Sequence, residues 1–129
     1  MALIDAPTGD LFRNNRMVEA MSSALLSTGH GLLIHERFGV NRAISALSSA
    51  SVPAASVLRI IDAERDQGAI RRNLDRAALD ASKTGSAIVY GRSYPETISA
   101  LSIWSLSNAA RGVVFAPLTA TMRKSQQGI

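Results

Sequence analysis

The chain's periodicity predicts an α/β fold of parallel strands with helices packed outside them. Three observations carry that expectation. Stretches with apolar residues at three- and four-residue steps alternate with short unbroken apolar runs, glycine or proline punctuates the changes, and the connections are short. The length of 129 residues suits an ordinary domain, and 47% hydrophobic against 19% charged residues supplies a core and argues against disorder.

Asn14 or Asn15 is placed to cap a first helix carrying Met17, Val18, Met21, Leu25 and Leu26, with Gly29 as its stop. The run from Gly31 to Ile34 ends at His35, and its shortness and lack of alternation suit a buried parallel strand. Asn41 opens a helix with Ala43, Ile44 and Leu47 on one face. Pro53 punctuates the loop after it, and Val57 to Ile61 reads as a strand ending at Asp62. Gln67 to Lys83 is the clearest helix, with Ile70, Leu74, Ala77, Ala78 and Ala81 inward and Arg71, Arg72, Asp75 and Arg76 outward.

Gly85 closes that helix, and Ser86 to Tyr90 is the next strand, ending at Gly91. Pro95 suits the first turn of a helix that bears Ile98, Leu101, Ile103 and Trp104 and runs to Gly112. Val113 to Phe115 is the last expected strand, and the polar tail from Arg123 is expected to fray. The organisation is therefore an N-terminal segment (1–13), a single α/β domain (14–119) and a polar tail (120–129). Whether the sheet is open or part of a barrel, ligands sit at the carboxyl ends of its strands. Those ends carry His35-Glu36-Arg37, Asp62-Ala63-Glu64, Gly91-Arg92-Ser93-Tyr94 and Ala116-Pro117.

Composition excludes several chemistries. There is no cysteine, hence no disulfide, thiolate metal site or thiol nucleophile. The net charge of +4 rests on scattered arginines, and with only 5% aromatics there is little for bases to stack on, so nucleic acid is not an expected partner. No apolar run reaches the ~20 residues of a membrane span, and no basic-then-apolar leader opens the chain. No GxSxG elbow, GxGxxG or P-loop is present.

At the strand ends, His35 and Asp62 are an imidazole and a carboxylate suited to zinc or another divalent metal and to water activation. The plain alternative is a hydrogen-bonded strand-end histidine. Glu36, Asp62, Glu64 and Glu96 are the acids of the rim, where acid–base work competes with simple solvation. His30 sits between two glycines and reads as a loop residue. In Gly91 to Thr97, glycine and polar residues lead into proline and glutamate, and Glu96 gains from the helix macrodipole.

GSAIVYGRSYPETISAL (Gly85 to Leu101), preceded by AIRRNLDRA (Ala69 to Ala77), resembles the C-terminal region of the divergent polysaccharide deacetylases. These bacterial proteins are related to metal-dependent carbohydrate deacetylases with an irregular β/α barrel. The order of features agrees from about Phe12 to Pro117. The resemblance implies a partial barrel and a zinc-type ion that activates water to remove acetyl groups from a sugar polymer or related amide or ester. It matches Asp62, Arg37 and Glu96 to the family's rim.

The chain also departs from the family pattern. Arg92 stands where the family usually has histidine, and His35 where it carries an acid. Asp5-Ala6-Pro7-Thr8-Gly9 contains no histidine where an asparagine-rich, histidine-bearing metal motif is expected, and the stretch with the first catalytic acid is missing. Arg92 is always cationic and repels a metal.

The expectation is a half-length, catalytically impaired relative with Asp62 and His35 as catalytic and metal residues. Arg37, Arg92, Tyr94 and Glu96 are its substrate- or anion-binding residues. The alternative is a non-catalytic domain that binds carbohydrate or protein through an arginine-bearing rim. Uncovered strand edges lead us to expect self-association or a complementing chain. Relatives are generally exported, which leaves localisation open for this chain.

Overall fold

The computed structural model describes residues 2–4, 13–35 and 40–127, which fold as two compact units. The first combines the chain up to Ser56 with the segment from Pro117 onward, and the second spans Val57–Ala116. Among the described residues every strand pairing is parallel, as the alternation of helices and strands predicts.

In the first unit, strands β1 (Ala2–Ile4), β2 (Leu32–Ile34) and β3 (Ala54–Ser56) form a sheet in that order. Leu32 pairs with Ala2 on one side and Ala54 on the other. Helix α1 (Asn15–Thr28) connects β1 to β2, and α2 (Val40–Ser49) connects β2 to β3. Parallel neighbours need such crossovers. The Asn14 side chain accepts hydrogen bonds from the backbone N–H groups of Arg16 and Met17, and Gly29 ends α1 at φ 69°, the left-handed conformation glycine allows. Central strand β2 is buried throughout, and Leu32 and Ile34 pack with Val18, Leu25, Leu47 and Val52.

Two elements here differ from the sequence expectation. The N-terminal segment contributes β1, a three-residue strand too short to show a period. The expected frayed tail is instead helix α5 (Leu118–Gln127), packed against β3 with Met122 buried. Only Leu118 and Met122, one turn apart, mark its apolar side. Gly31 admits the approach of this helix, since a Cβ there would lie 2.9 Å from the Pro53 carbonyl oxygen and 3.1 Å from Met122 Sδ.

The expected strand from Val57 to Ile61 is shorter in the structure, and another strand precedes it. Strand β3 comes earlier, at Ala54–Ser56, and β4 (Arg59–Ile60) belongs to the second unit. Alanines have little strand propensity, but β3 lies beside buried β2, where small side chains fit.

In the second unit, β4 pairs with β5 (Val89–Tyr90), Arg59 opposite Val89 and Ile60 opposite Tyr90. Hydrogen bonds from Leu58 to Ile88 (2.8 Å) and from Ile61 to Tyr90 (2.9 Å) extend the ladder. Their crossover is α3 (Gln67–Thr84), capped by the Asp66 carboxylate on Ala69 N–H and closed by Gly85 at φ 93°. Helix α4 (Pro95–Ser105) packs on α3, and Ile61, Ile70, Leu74, Ala100, Trp104 and Ala110 make the core.

Helix α4 stops at Ser105 rather than Gly112, and a 3-10 helix (Asn108–Gly112) follows. Ser107 and Asn108 favour a turn there over a helix interior. The expected strand at Val113 to Phe115 is not formed. Val113 N–H bonds back to Ala110, while Val114 and Phe115 are 88% and 63% exposed. Strand-forming side chains without an adjacent edge do not make a strand.

Candidate functional site

The second unit gathers its polar side chains where β4 and β5 end and α4 begins. Strand β4 delivers Asp62, and the Asn73 side chain steadies that exit by donating to the Ile61 carbonyl (3.0 Å). Strand β5 delivers the turn from Gly91 to Tyr94, after which Pro95 opens α4. A Cβ on Gly91 would stand 3.0 Å from Ile61 Cγ1 and 3.2 Å from Thr97 Cγ2, so only glycine lets the turn close onto Asp62 without displacement.

The Asp62 side chain is fully buried. Its Oδ2 accepts a short hydrogen bond from Arg92 backbone N–H and a second from Thr97 Oγ1 at 2.9 Å. Its Oδ1 receives no hydrogen bond, and Arg92 Nη1 stands 3.5 Å away. Arg92 therefore faces both oxygens, one with its main chain and the other with its guanidinium. That side chain is 47% exposed.

Beside this pair, Arg65 Nη2 donates to Glu96 Oε1 (3.2 Å) and Oε2 (3.0 Å). Its guanidinium carbon lies 4.2 Å from the centre of the Tyr94 ring, and that of Arg92 lies 6.0 Å from it. Both arginines are thus within reach of cation–π attraction to one ring. An open depression of about 550 Å3 adjoins the turn, lined by Ile61, Gly91, Arg92, Thr97, Ile98 and Phe115 among others.

A hydrogen bond from its own backbone N–H, then that from Arg65, holds the Glu96 carboxyl below its ordinary value of 4.5. A lowered carboxyl stabilises the fold above its unfolded value, and the contribution is lost as pH falls through the folded one. The stability difference between the native chain and Glu96→Gln is therefore expected to be complete above 4.5 and to fade at lower pH. Denaturant titrations across that range check it, and a difference that grows on acidification would contradict the assignment.

The structure brings together Asp62, Arg92, Tyr94 and Glu96 in the second unit. His35 is half-buried after β2 in the first unit, so the expected Asp62–His35 pair is divided between two units. Arg37, Glu36 and the segment Asp5 to Gly9 lie outside the described residues. His30 is an exposed turn residue with Nδ1 3.1 Å from the Thr28 carbonyl, as expected, and Glu64 is exposed.

Arg65 and Thr97 were not singled out from sequence. The available signals were weak ones: Arg65 directly follows the Asp62–Glu64 strand end, and Thr97 follows Glu96 in the α4 first turn.

Among the described residues no three histidine or carboxylate side chains converge as metal ligands. The zinc-type ion expected from sequence does not fit the Asp62 site. The Asp62 carboxylate is already faced by the Arg92 guanidinium and the neighbouring Glu96 carboxylate is engaged by Arg65, so a further cation near them would be repelled.

Residues 7–122, most of the 129-residue chain, match the family model described as divergent polysaccharide deacetylase. That span encloses the resemblance read from Phe12 to Pro117. No curated protein and no solved structure matches the chain.

Proposed function

The chain belongs to the divergent polysaccharide deacetylase family, and from that premise we propose that its second unit contacts acetylated carbohydrate without carrying out metal-dependent hydrolysis by itself. The observation that carries this reading is the pairing of the buried Asp62 with Arg92, where no set of metal ligands converges among the described residues. Arg65, Tyr94 and Glu96 supply a sugar-binding edge beside it. Both guanidinium groups already have carboxylate partners, so the rim offers donors and acceptors in near balance. That balance suits hydroxyl and amide groups better than a polyanion.

The apolar members of the depression, Ile98 and Phe115, suit a sugar face or an acetyl methyl. Under the same reading the sheets are parts of an irregular β/α barrel. Exposed Leu106 and Val114 favour association with another copy or a complementing chain.

Calorimetry with an N-acetylglucosamine oligomer, in the presence of a chelator, tests the binding reading. Binding is expected to survive the chelator and to weaken about tenfold or more in Tyr94→Ala, a loss of about 1.4 kcal/mol. Absence of binding would remove the reading. Zinc-dependent release of acetate that falls in Asp62→Asn would establish hydrolysis instead.

A further inference from the structure

We infer that Arg92 is a built-in cation for Asp62: its guanidinium occupies the approach to Oδ1 that a divalent metal would need, making this a metal-independent centre. The inference holds whether or not a saccharide binds. It starts from an anomaly of burial, because Asp62 Oδ1 is inaccessible to solvent and yet accepts no hydrogen bond. Buried polar atoms are seldom left so, and a carboxylate buried without a compensating positive charge is strongly disfavoured.

The compensation comes from Arg92 Nη1, 3.5 Å from that oxygen. Position follows from the main chain. Arg92 backbone N–H and Thr97 Oγ1 both hold Oδ2, which turns Oδ1 toward the guanidinium. Gly91, packed on Ile61, sets where the Arg92 backbone lies. Tyr94 lies near the same guanidinium, adding a weak attraction at 6.0 Å. A divalent ion reaching Oδ1 would have to displace this side chain, and no converging set of ligands among the described residues offsets that displacement.

Thermal melting of the full chain, with and without added cations, tests the inference. The native midpoint is expected to move by less than about 1 °C with chelator or with zinc at about 0.1 mM. Arg92→Ala is expected to lower it by roughly 5 °C. Methylguanidinium at about 10 mM, filling the vacated position, recovers at least half of that loss, whereas zinc does not.

The inference is overturned if zinc rather than methylguanidinium restores Arg92→Ala, or if Arg92→Ala melts like the native chain. It is equally overturned if zinc raises the native midpoint and Asp62→Asn abolishes the rise. Should Arg92→Ala fail to fold, Arg92→Lys gives the reading. Its retained charge is expected to keep the fold insensitive to zinc, and an Asp62-dependent zinc response there counts against the inference.

Discussion

Alanine at Trp104 is expected to lower the stability of the second unit by about 3–5 kcal/mol, a large part of the ~5–15 kcal/mol that holds a typical domain together. Trp104 is buried among Ile61, Ile70, Leu74, Ala100 and Ala110, so truncation removes apolar contact and leaves a cavity. Phe115 meets its ring edge-on at 6.1 Å, and Nε1–H donates to Asp75 at 2.8 Å. Trp104→Phe separates these contributions by keeping an aromatic ring and dropping the hydrogen bond. Because Asp75 can turn to water, that variant is expected to lose only about 1–2 kcal/mol.

Urea unfolding followed by circular dichroism is the suitable readout, since the chain's single tryptophan is the residue removed. A loss below about 1 kcal/mol in Trp104→Ala would mean that the site of Trp104 collapses without cost, against the burial seen here. Trp104 acts on the candidate site through the core that supports Ile61, the residue before Asp62, and through Phe115, which lines the depression.

The elements most legible in the sequence are those with a full apolar period and a chemical stop. Helix α3 combines a repeating inward face with the Gly85 stop, and α1 combines an Asn14 cap with Gly29. Strand β2 is legible for a different reason: three consecutive apolar residues belong in the middle of a parallel sheet. Where the reading differs from the structure, local composition yields to position. Ala54–Ser56 pairs because β2 lies beside it, whereas Val113, Val114 and Phe115 have the better propensity and no strand to join.

The candidate site divides along similar lines. The juxtaposition of Asp62, Arg92, Tyr94 and Glu96 is legible because their sequence positions mark strand ends, where α/β folds bring side chains together. Arg65 is hidden among neighbouring acids, and its partner Glu96 is 31 residues away. Thr97 likewise reaches Asp62 across 35 residues. Neither partnership has a local signature. Both depend on α3 returning the chain so that β5 lies parallel to β4. Asp62 and His35 lie in different compact units, so similarity of placement on successive strands does not by itself make them a pair.

Asp62→Ala is expected to destabilise the second unit by about 2–4 kcal/mol, chiefly by stranding two donors rather than by losing an ion pair. The Thr97 hydroxyl and the Arg92 backbone N–H both point at Oδ2, and Thr97 is buried. The Arg92 guanidinium, 47% exposed, turns to water when its partner is removed, so its Coulombic share is small. Asp62→Asn makes the distinction measurable because its side-chain carbonyl still accepts from both donors, while its amide presents N–H groups to Arg92. It is expected to lose about half as much.

Trp104 fluorescence reports both unfolding curves from within the same core. Equal losses in the two variants would mean that charge, not donor satisfaction, holds the turn together. A smaller loss in Asp62→Asn also makes it the proper variant for binding experiments. The turn that presents Tyr94 then stays folded, and any fall in saccharide affinity belongs to the carboxylate itself.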